Sequence, residues 1–363
     1  MEVNSIDYER KRCKLMKKFV IYCHCDNDGH AAGYWCKRWV VENFENPEIE
    51  IIPINYGDLT DFRDIDEDTV VFIVDFSFEQ PEVMEELITR TKKVIWIDHH
   101  ISAINKYNER YADRPSTDFN PCSVSGIRQS GVAGCALTYY YLYGKSEDGY
   151  NANAEELINL FKEDGSLIVS WVDDKPEEEI RHLVYIDMPD ANIAIADNDI
   201  WAFEMHKTKE FISAVGFLNC TTDDGYERID ELMKSHTVFD KIVEKGEILR
   251  DYKMTELYPI MCKAAHEVDL DIEEGPLRYA KCIAINMPFC FNSEVFDSIE
   301  KEYDIYIKYN QTPSGWSYTF YSKPWSKVTA LDVATHFGGG GHKDAAGAKS
   351  DNLIFTFTPI DYL

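Results

Sequence analysis

Short apolar runs rich in β-branched residues recur through the first half of the chain, and they constrain its fold more than any other feature. Three of them, Lys18–Cys23, Thr69–Val74 and Lys93–Ile97, have the length of strands and little polar character. Strands of this kind are typical of a parallel sheet that helices cover on both faces. Because helical patterns alternate with such runs from about residue 18 to 220, the sequence predicts an α/β fold with a doubly wound parallel sheet.

Ionisable residues follow each of these runs directly. His24, Asp26 and Asp28 follow the first, Asp75 the second, and the three residues Asp98-His99-His100 the third. The stretch Asp197-Asn198-Asp199 follows a further apolar run, Ile193–Ala196, which we interpret as another strand. Any one Asp here would equally suit a helix cap or a turn. Since ligands bind at the carboxyl edge of open α/β sheets, we predict one cleft surrounded by Asp26, Asp28, Asp75, His99 and Asp197, with His24 and His100 close by.

The predicted cleft contains more carboxylates than a dry crevice can hold without cations to neutralise them. Carboxylates with one or two imidazoles suit Mn²⁺ or Mg²⁺ better than a thiolate-bound zinc ion. The set is too large for one ion and about right for two. Paired ions roughly 3.5–4 Å apart are typical of enzymes that hydrolyse phosphate esters.

The order of these motifs resembles the DHH phosphoesterase superfamily, which includes RecJ exonucleases, nanoRNases, cyclic-di-AMP phosphodiesterases and one class of inorganic pyrophosphatase. A second motif supports the resemblance near the C-terminus. There an amphipathic helical pattern, Val328–Phe337, precedes Gly338–His342 and Ala345–Gly347. This resembles the glycine-rich motif of the DHH-associated C-terminal domain, which grips the substrate. Glycines end the helix and let backbone amides approach an anion, while His342 supplies a donor.

The resemblance implies a role for each candidate residue. Two Mn²⁺ ions, with Mg²⁺ as the alternative, would be held by His24, Asp26, Asp28, Asp75, His99 and Asp197. Asp75 would bridge the ions, and Asp199 is the alternative to Asp197. Asp98 would orient a histidine, and His100 would face the substrate and stabilise charge or assist proton transfer. The substrate would be held by Ser130, Gly339, Gly340, Gly341 and His342.

The implied activity is a metal-dependent phosphodiesterase that cleaves short oligonucleotides to mononucleotides. A cyclic nucleotide or cyclic dinucleotide phosphodiesterase is the main alternative, because the same metals would serve it. A pyrophosphatase fits less well, since that class lacks the glycine-rich C-terminal motif. A catalytically silent nucleotide-binding protein is the remaining alternative, although every expected ligand position holds a competent residue.

Charge and composition restrict the kinds of partner that we expect for the chain. The chain of 363 residues carries 37 basic and 65 acidic residues, a formal net charge of −28. No basic stripe accompanies this excess of acid, so we expect no long nucleic acid as partner. No apolar stretch reaches the roughly 20 residues of a membrane helix, and ten scattered cysteines suggest reduced thiols in the cytoplasm. The oligomeric state stays open, a homodimer being one option.

The chain divides into four predicted segments. They are an N-terminal extension (1–17), a DHH catalytic domain (18–225), a helical connector (226–260) and a smaller α/β substrate-binding domain (261–363). Within the first domain the patterns also predict helices at Asn153–Trp171 and Pro176–Tyr185. Within the last they predict strands at Tyr279–Asn286, Ile305–Asn310, Trp316–Tyr321 and Leu353–Phe357.

Overall fold

The computed structural model describes residues 18–112, 120–144, 170–171, 177–273, 275–288, 291–323 and 325–358. The predicted extension, 1–17, and most of the predicted helix Asn153–Trp171 lie outside these ranges. The chain forms two compact units. The first contains the described residues up to Asp199 together with Phe217–Val238, and the second contains Ile200–Gly216 and the chain from Phe239 on. The chain thus enters the second unit, returns to the first for one segment, and then continues in the second.

A parallel sheet of four strands forms the centre of the first unit. Its strands are β1 (Lys18–His24), β2 (Glu48–Ile54), β3 (Val70–Val74) and β4 (Val94–Ile97). They lie in the order β2-β1-β3-β4, and every neighbouring pair is parallel. The predicted α/β fold is therefore confirmed. Sequence analysis did not identify β2, because at this edge of the sheet the strand alternates exposed Glu48 and Glu50 with partly buried residues.

Helices cover both faces of this sheet and also occur in the second unit. Over the described chain they are α1 (Asn27–Asn43), α2 (Pro81–Arg90), α3 (Ile101–Tyr111), α4 (Gly134–Tyr143), α5 (Glu177–Val184), α6 (Asp190–Asp199), α7 (Thr208–Val215), α8 (Asp223–Lys234), α9 (His236–Tyr252), α10 (Tyr258–Met261) and α11 (Ala330–His336). In β3, Phe72 faces Trp39 of α1, with ring centroids 6.3 Å apart. The alternate residues Val71 and Ile73 belong to the core that contains Met84 of α2. Burial on both faces explains the uninterrupted apolar run.

A short parallel pair extends the sheet beyond β4. It consists of β5 (Gly126–Ile127) and β6 (Ser170–Trp171). The amides of Trp96 and Asp98 donate to Ser125 O and Ile127 O at 2.8 and 3.0 Å, which joins β4 to β5. Ser170 and Trp171 form a strand, so the prediction of a helix through Trp171 is wrong at these two residues.

The apolar run Ile193–Ala196 is helical. It lies within α6 (Asp190–Asp199), and the interpretation of this run as a strand is wrong. A short run of small apolar residues carries no periodicity that separates a buried strand from a buried helix. The predicted helix at Pro176–Tyr185 is confirmed over α5.

A seven-stranded mixed sheet forms the second unit. Its strands are β7 (His266–Leu270), β8 (Cys282–Asn286), β9 (Ile305–Thr312), β10 (Gly315–Ser322), β11 (Gly340–Gly341), β12 (Ala345–Ser350) and β13 (Phe355–Phe357), in the order β11-β12-β10-β9-β8-β7-β13. Only the pair β8–β9 is parallel among these described strands. Helix α11 packs on this sheet through Val333 and Ala334, within a core that also contains Ile307 and Phe320. The predicted C-terminal α/β region, its four strands and its helix are confirmed, with shifted ends.

The predicted connector consists of several helices. Helix α8 ends at Lys234, α9 follows, and a π-helical stretch, Lys253–Leu257, leads into α10. Short 3₁₀ helices occur at Pro121–Ser123, Cys262–Ala264, Pro276–Tyr279 and Ser293–Ser298. Over the ranges that the structure describes, no helix is long and apolar enough to span a membrane.

Candidate functional site

The site lies at the carboxyl edge of the parallel sheet. The loops after β1, β3 and β4 carry most of the predicted residues, and these three strands are neighbours in the order β1-β3-β4. After β1 the chain turns towards β2 on one side of the sheet, whereas β3 and β4 lie on the other. This change of direction is the point at which open α/β sheets bind ligands.

Asp75 lies at the centre of the site. Its side chain is 1% exposed, and its Oδ1 lies 2.9 Å from Nε2 of His99 while its Oδ2 lies 3.8 Å from Nδ1 of His24. Within the described residues, neither oxygen has a hydrogen-bond partner. Burial raises the pKa of Asp75 well above its usual range, and the charges of Asp28 and Asp26 raise it further. The carboxylate therefore faces two different ligand groups, one through each oxygen.

The first ligand group contains His24, Asp26 and Asp75, whose ligand atoms lie within 4.8 Å of one another. Nδ1 of His24 lies 2.7 Å from Oδ2 of Asp26. Asp26 also caps α1, because its Oδ1 accepts from the amide of Gly29 at 2.8 Å. Burial opposes ionisation of Asp26, but its contact with His24 and this amide outweigh burial and lower its pKa well below the usual range.

The second ligand group contains Asp28, His99 and Asp199. Nε2 of His99 lies 3.5 Å from Asp28 Oδ2 and 3.4 Å from Asp199 Oδ2, beside its contact with Asp75. Burial and the charge of Asp26 raise the pKa of Asp28. Asp28 is held in place by the first turn of α4, where the amides of Gly134 and Cys135 donate to it at 2.7 and 2.9 Å. A helix N-terminus favours such a negative group.

Asp98 and His100 form a pair beside these groups. Oδ1 of Asp98 accepts from the amides of His99 and His100 and lies 2.8 Å from Nδ1 of His100. Its other oxygen accepts from the hydroxyl of Ser77. Burial opposes both charges, but mutual attraction prevails: the pKa of Asp98 falls to about 2 and that of His100 rises to about 9. In the metal-free chain the buried carboxylate thus favours the protonated form of His100 and fixes its imidazole.

Of the two acidic residues that end α6, the structure brings Asp199 to His99. Two residues along an α-helix correspond to a rotation of about 200° about its axis, so these two side chains point to nearly opposite sides of the helix and cannot both face one site. Asp197 is buried, and it belongs to no cluster of ligand atoms among the described residues. Asp199, the alternative at this position, is therefore better placed than Asp197 to bind an ion together with His99, and the metal role stays a prediction for both residues.

The predicted substrate-binding residues lie in both units. Ser130 is in the turn before α4, in the first unit, and is partly buried. Gly339, Gly340, Gly341 and His342 follow α11 in the second unit. Gly340 and Gly341 form β11 against β12, and the amide of His342 donates to Ala345 O at 2.9 Å. A Cβ atom at Gly339 would overlap the backbone of β12, so close strand approach requires this glycine.

Three residues at the site escaped sequence analysis. Ser77 bonds Asp98, and Gly134 lies so close to Asp75 that a Cβ atom on it would be 2.6 Å from Oδ1 of that residue. Tyr56 is 39% exposed, with its ring centroid 5.9 Å from that of His24 and 6.0 Å from that of His100. No local pattern marks Ser77 and Tyr56, because contacts from distant strands and loops bring them to the site. Gly134 ends the small-residue turn that contains Ser130, a predicted substrate-binding residue.

This donor set fits divalent metal ions. Several buried carboxylates without a counter-charge would repel one another, which is the cause of the raised pKa of Asp75 and Asp28 beyond the effect of burial. Divalent cations would neutralise them, and carboxylate oxygens with imidazole nitrogens are ligands that Mn²⁺ and Mg²⁺ accept. The two oxygens of Asp75, which lack a hydrogen-bond partner among the described residues, are suitably placed to serve as ligands.

The family model for the DHH family, N-terminal domain, matches residues 18–199. The chain therefore belongs to the DHH family, as its motifs predicted. No curated protein matches the chain.

Several solved structures resemble the chain at low identity. They are an uncharacterized protein from Helicobacter pylori (14% identity, 93% of this chain and 94% of that chain, TM-score 0.35), a pGpG-specific phosphodiesterase from Vibrio cholerae (12%, 92% and 93%, 0.37) and RecJ in complex with Mn²⁺ from Thermus thermophilus (14%, 93% and 50%, 0.41). The assignment to the family rests on the family model and on the motifs.

Proposed function

We propose that the chain is a phosphodiesterase that cleaves short oligonucleotides to mononucleotides with the help of two divalent cations, Mn²⁺ or Mg²⁺. The observation that carries the proposal is the position of Asp75 between two ligand groups. One of its oxygens faces His24 and the other faces His99. A carboxylate in this position can bridge a pair of ions, and two-ion sites are typical of phosphate-ester hydrolysis.

Each ligand group would hold one ion. The first would use His24 and Asp26, the second would use Asp28, His99 and Asp199, and Asp75 would serve both. When bound, the ions would supply an activated water and neutralise phosphoryl oxygens. The first turn of α4 would keep Asp28 ionised and correctly oriented through its two amides.

His100 would bind the phosphoryl group. Its contact with buried Asp98 favours the protonated imidazole and fixes its position. A preorganised cation next to the reacting phosphate stabilises negative charge that develops in the transition state. We therefore assign charge stabilisation to His100 and its orientation to Asp98.

Tyr56 favours a nucleotide substrate. Its partly exposed ring lies beside His24 and His100 and packs on Phe76, with centroids 5.1 Å apart. Stacking of a base on an aromatic ring contributes about 1–3 kcal/mol per base. Pyrophosphate has no base to stack, so this residue distinguishes the proposed substrate from the inorganic one. Ser130, the glycines after α11 and His342 would hold other parts of the oligonucleotide.

Turnover of a small substrate panel tests the proposal. The panel contains di- to pentanucleotides of RNA and DNA, cyclic mono- and dinucleotides, and pyrophosphate, each with Mn²⁺, with Mg²⁺ and with chelator. We expect mononucleotides from the shortest oligomers, and no product with chelator. Cleavage of cyclic compounds alone would favour the cyclic-nucleotide alternative, whereas nucleotide binding without turnover would indicate a silent protein.

Matched variants separate the metal site from the rest of the chain. Asp75→Asn keeps the shape of the side chain and removes its charge, so we expect activity to fall at least about 1,000-fold. Asp64→Asn, at an exposed position outside the site, is the control. Tyr56→Leu should raise KM for oligonucleotides and leave metal affinity unchanged. Retained activity in Asp75→Asn would contradict the two-ion proposal.

A further inference from the structure

A second cluster of ligand-type side chains lies in the first unit, apart from the carboxylates. It contains the thiols of Cys23 and Cys220 and the imidazole of His30. All three residues are at most 3% exposed, and their ligand atoms lie within 4.8 Å of one another. Among the described residues, this is the only cluster of ligand atoms that contains sulfur.

The three side chains come from separate elements that the fold brings together. Cys23 is on β1, His30 is in the first turns of α1, and Cys220 is in the segment that returns to the first unit. Nδ1 of His30 lies 3.3 Å from Sγ of Cys220, and the amide of Cys220 approaches the same nitrogen at 3.4 Å. The imidazole is therefore held against Cys220, inside the cluster.

The chemistry of the cluster supports a metal ion more than simple packing. Two sulfur atoms and one imidazole nitrogen are a donor set that zinc takes in proteins. Cysteine binds a metal as the thiolate, so an ion here would displace the protons of Cys23 and Cys220. Two thiolates with one imidazole select a borderline-soft ion, whereas the carboxylates of the first site suit hard ions.

The backbone leaves space next to both sulfurs. Gly33 faces them, and a Cβ atom there would lie 3.0 Å from Sγ of Cys220 and 3.2 Å from Sγ of Cys23. A larger residue would press on the atoms that would hold the ion. The glycine thus preserves the spacing of the pair.

We propose that Cys23, His30 and Cys220 bind one Zn²⁺ ion, with the fourth position of the tetrahedron left to a ligand from outside this cluster. Such an ion would fasten the returning segment to β1 and α1. These two elements also carry His24, Asp26 and Asp28, so the ion would stabilise the base of the phosphodiesterase site. The proposal is independent of the proposed function, because it concerns other residues and another class of metal.

X-ray absorption at the zinc edge tests the proposal on the full wild-type chain. The reduced protein is saturated with Mg²⁺ to fill the carboxylate site and then loaded with one equivalent of Zn²⁺. We expect two sulfur atoms at about 2.3 Å and nitrogen at about 2.0–2.1 Å. Oxygen and nitrogen neighbours alone would overturn the proposal, even if no variant folds.

Variants assign the sulfur atoms. Cys220→Ser should weaken zinc affinity at least about 100-fold, since loss of an outer-sphere partner alone costs 10–100-fold. Cys282→Ser changes a buried cysteine of the second unit and is the control. Asp75→Asn should leave zinc affinity unchanged. Unaltered sulfur ligation in both Cys23→Ser and Cys220→Ser would refute the site.

Discussion

Asp75 has an unusual backbone for a residue at the end of a strand. Its φ is +56°, in the left-handed region that only Gly, Asn and Asp adopt with any frequency. Such conformations cost of order 1–3 kcal/mol and persist mostly at functional sites. The left-handed turn after β3 thus agrees with the central position of this carboxylate.

Gly134→Ala tests how closely α4 packs on Asp75. The new Cβ would lie 2.5 Å from Cβ of Asp75 and 2.6 Å from its Oδ1, so one of the two must move. We expect loss of about 100-fold in kcat, since a shift of about 1 Å at a reacting site can cost that much. Glu231→Ala, at an exposed position of α8, is the control. Equal activity in both variants would show that the contact tolerates an extra methyl group.

His100 makes the stability of the metal-free chain depend on pH. Its pKa rises from 6.5 to about 9 on folding, so it contributes stability below about pH 6.5 that is lost as pH rises through 9. Folding also raises the pKa of Asp75, so the free energy of unfolding begins to fall already as pH rises above the ordinary pKa of a carboxyl group. We expect the free energy of unfolding in chelator to fall by up to about 3 kcal/mol between pH 6.5 and 9. Urea titrations of wild type and His100→Gln check this, and the variant should show a smaller slope.

At the scale of elements, one helix serves both stability and the site. Two amides in the first turn of α4, which have no partner within the helix, donate to Asp28. Helix α6 similarly turns Asp199, rather than Asp197, towards His99. Pairing of α4 with a residue 106 positions earlier in the chain is invisible to a local pattern.

The N-terminal cap of α11 allows a test of helix stability at an element to which we assign no catalytic residue. Thr329 accepts from the amide of Asp332, and the carboxylate of Asp332 accepts from the amide of Thr329 in return. Thr329→Ala should lower the free energy of unfolding of the second unit by about 1 kcal/mol. Thr356→Ala, exposed on β13, is the matched control. Denaturant titration monitored by tryptophan fluorescence would show whether the cap contributes as expected.

At the scale of the whole molecule, the carboxylates link metal binding to folding. An ion that binds only the folded chain at 100 times its Kd raises the free energy of unfolding by about 2.7 kcal/mol. We expect this increase with Mn²⁺ in wild type and its loss in Asp75→Asn. Thermal unfolding with graded Mn²⁺ measures it. An equal increase in both proteins would place the stabilising ion elsewhere.

Sequence patterns alone predicted the parallel sheet, the C-terminal strands and the family. Each depends on local information, since a buried parallel strand and a capped helix leave their periodicity in consecutive residues. The positions at which β1, β3 and β4 end, and the ionisable residues that follow them, were predicted for the same reason. Ile193–Ala196 was misread because a run of four small apolar residues fits both helix and strand. At Ser170–Trp171 a predicted helix extended into two residues that pair with β5 instead.

The tertiary structure decided everything that depends on residues far apart in the chain. It placed Asp199 rather than Asp197 beside His99, placed Gly134 against Asp75, and brought Cys220 to His30 across 190 positions. These contacts arise from packing and hydrogen bonds between elements, and packing is non-local. The sequence by itself therefore determined the family and the ligand-type residues of the candidate site, while the fold determined which of their atoms lie close together.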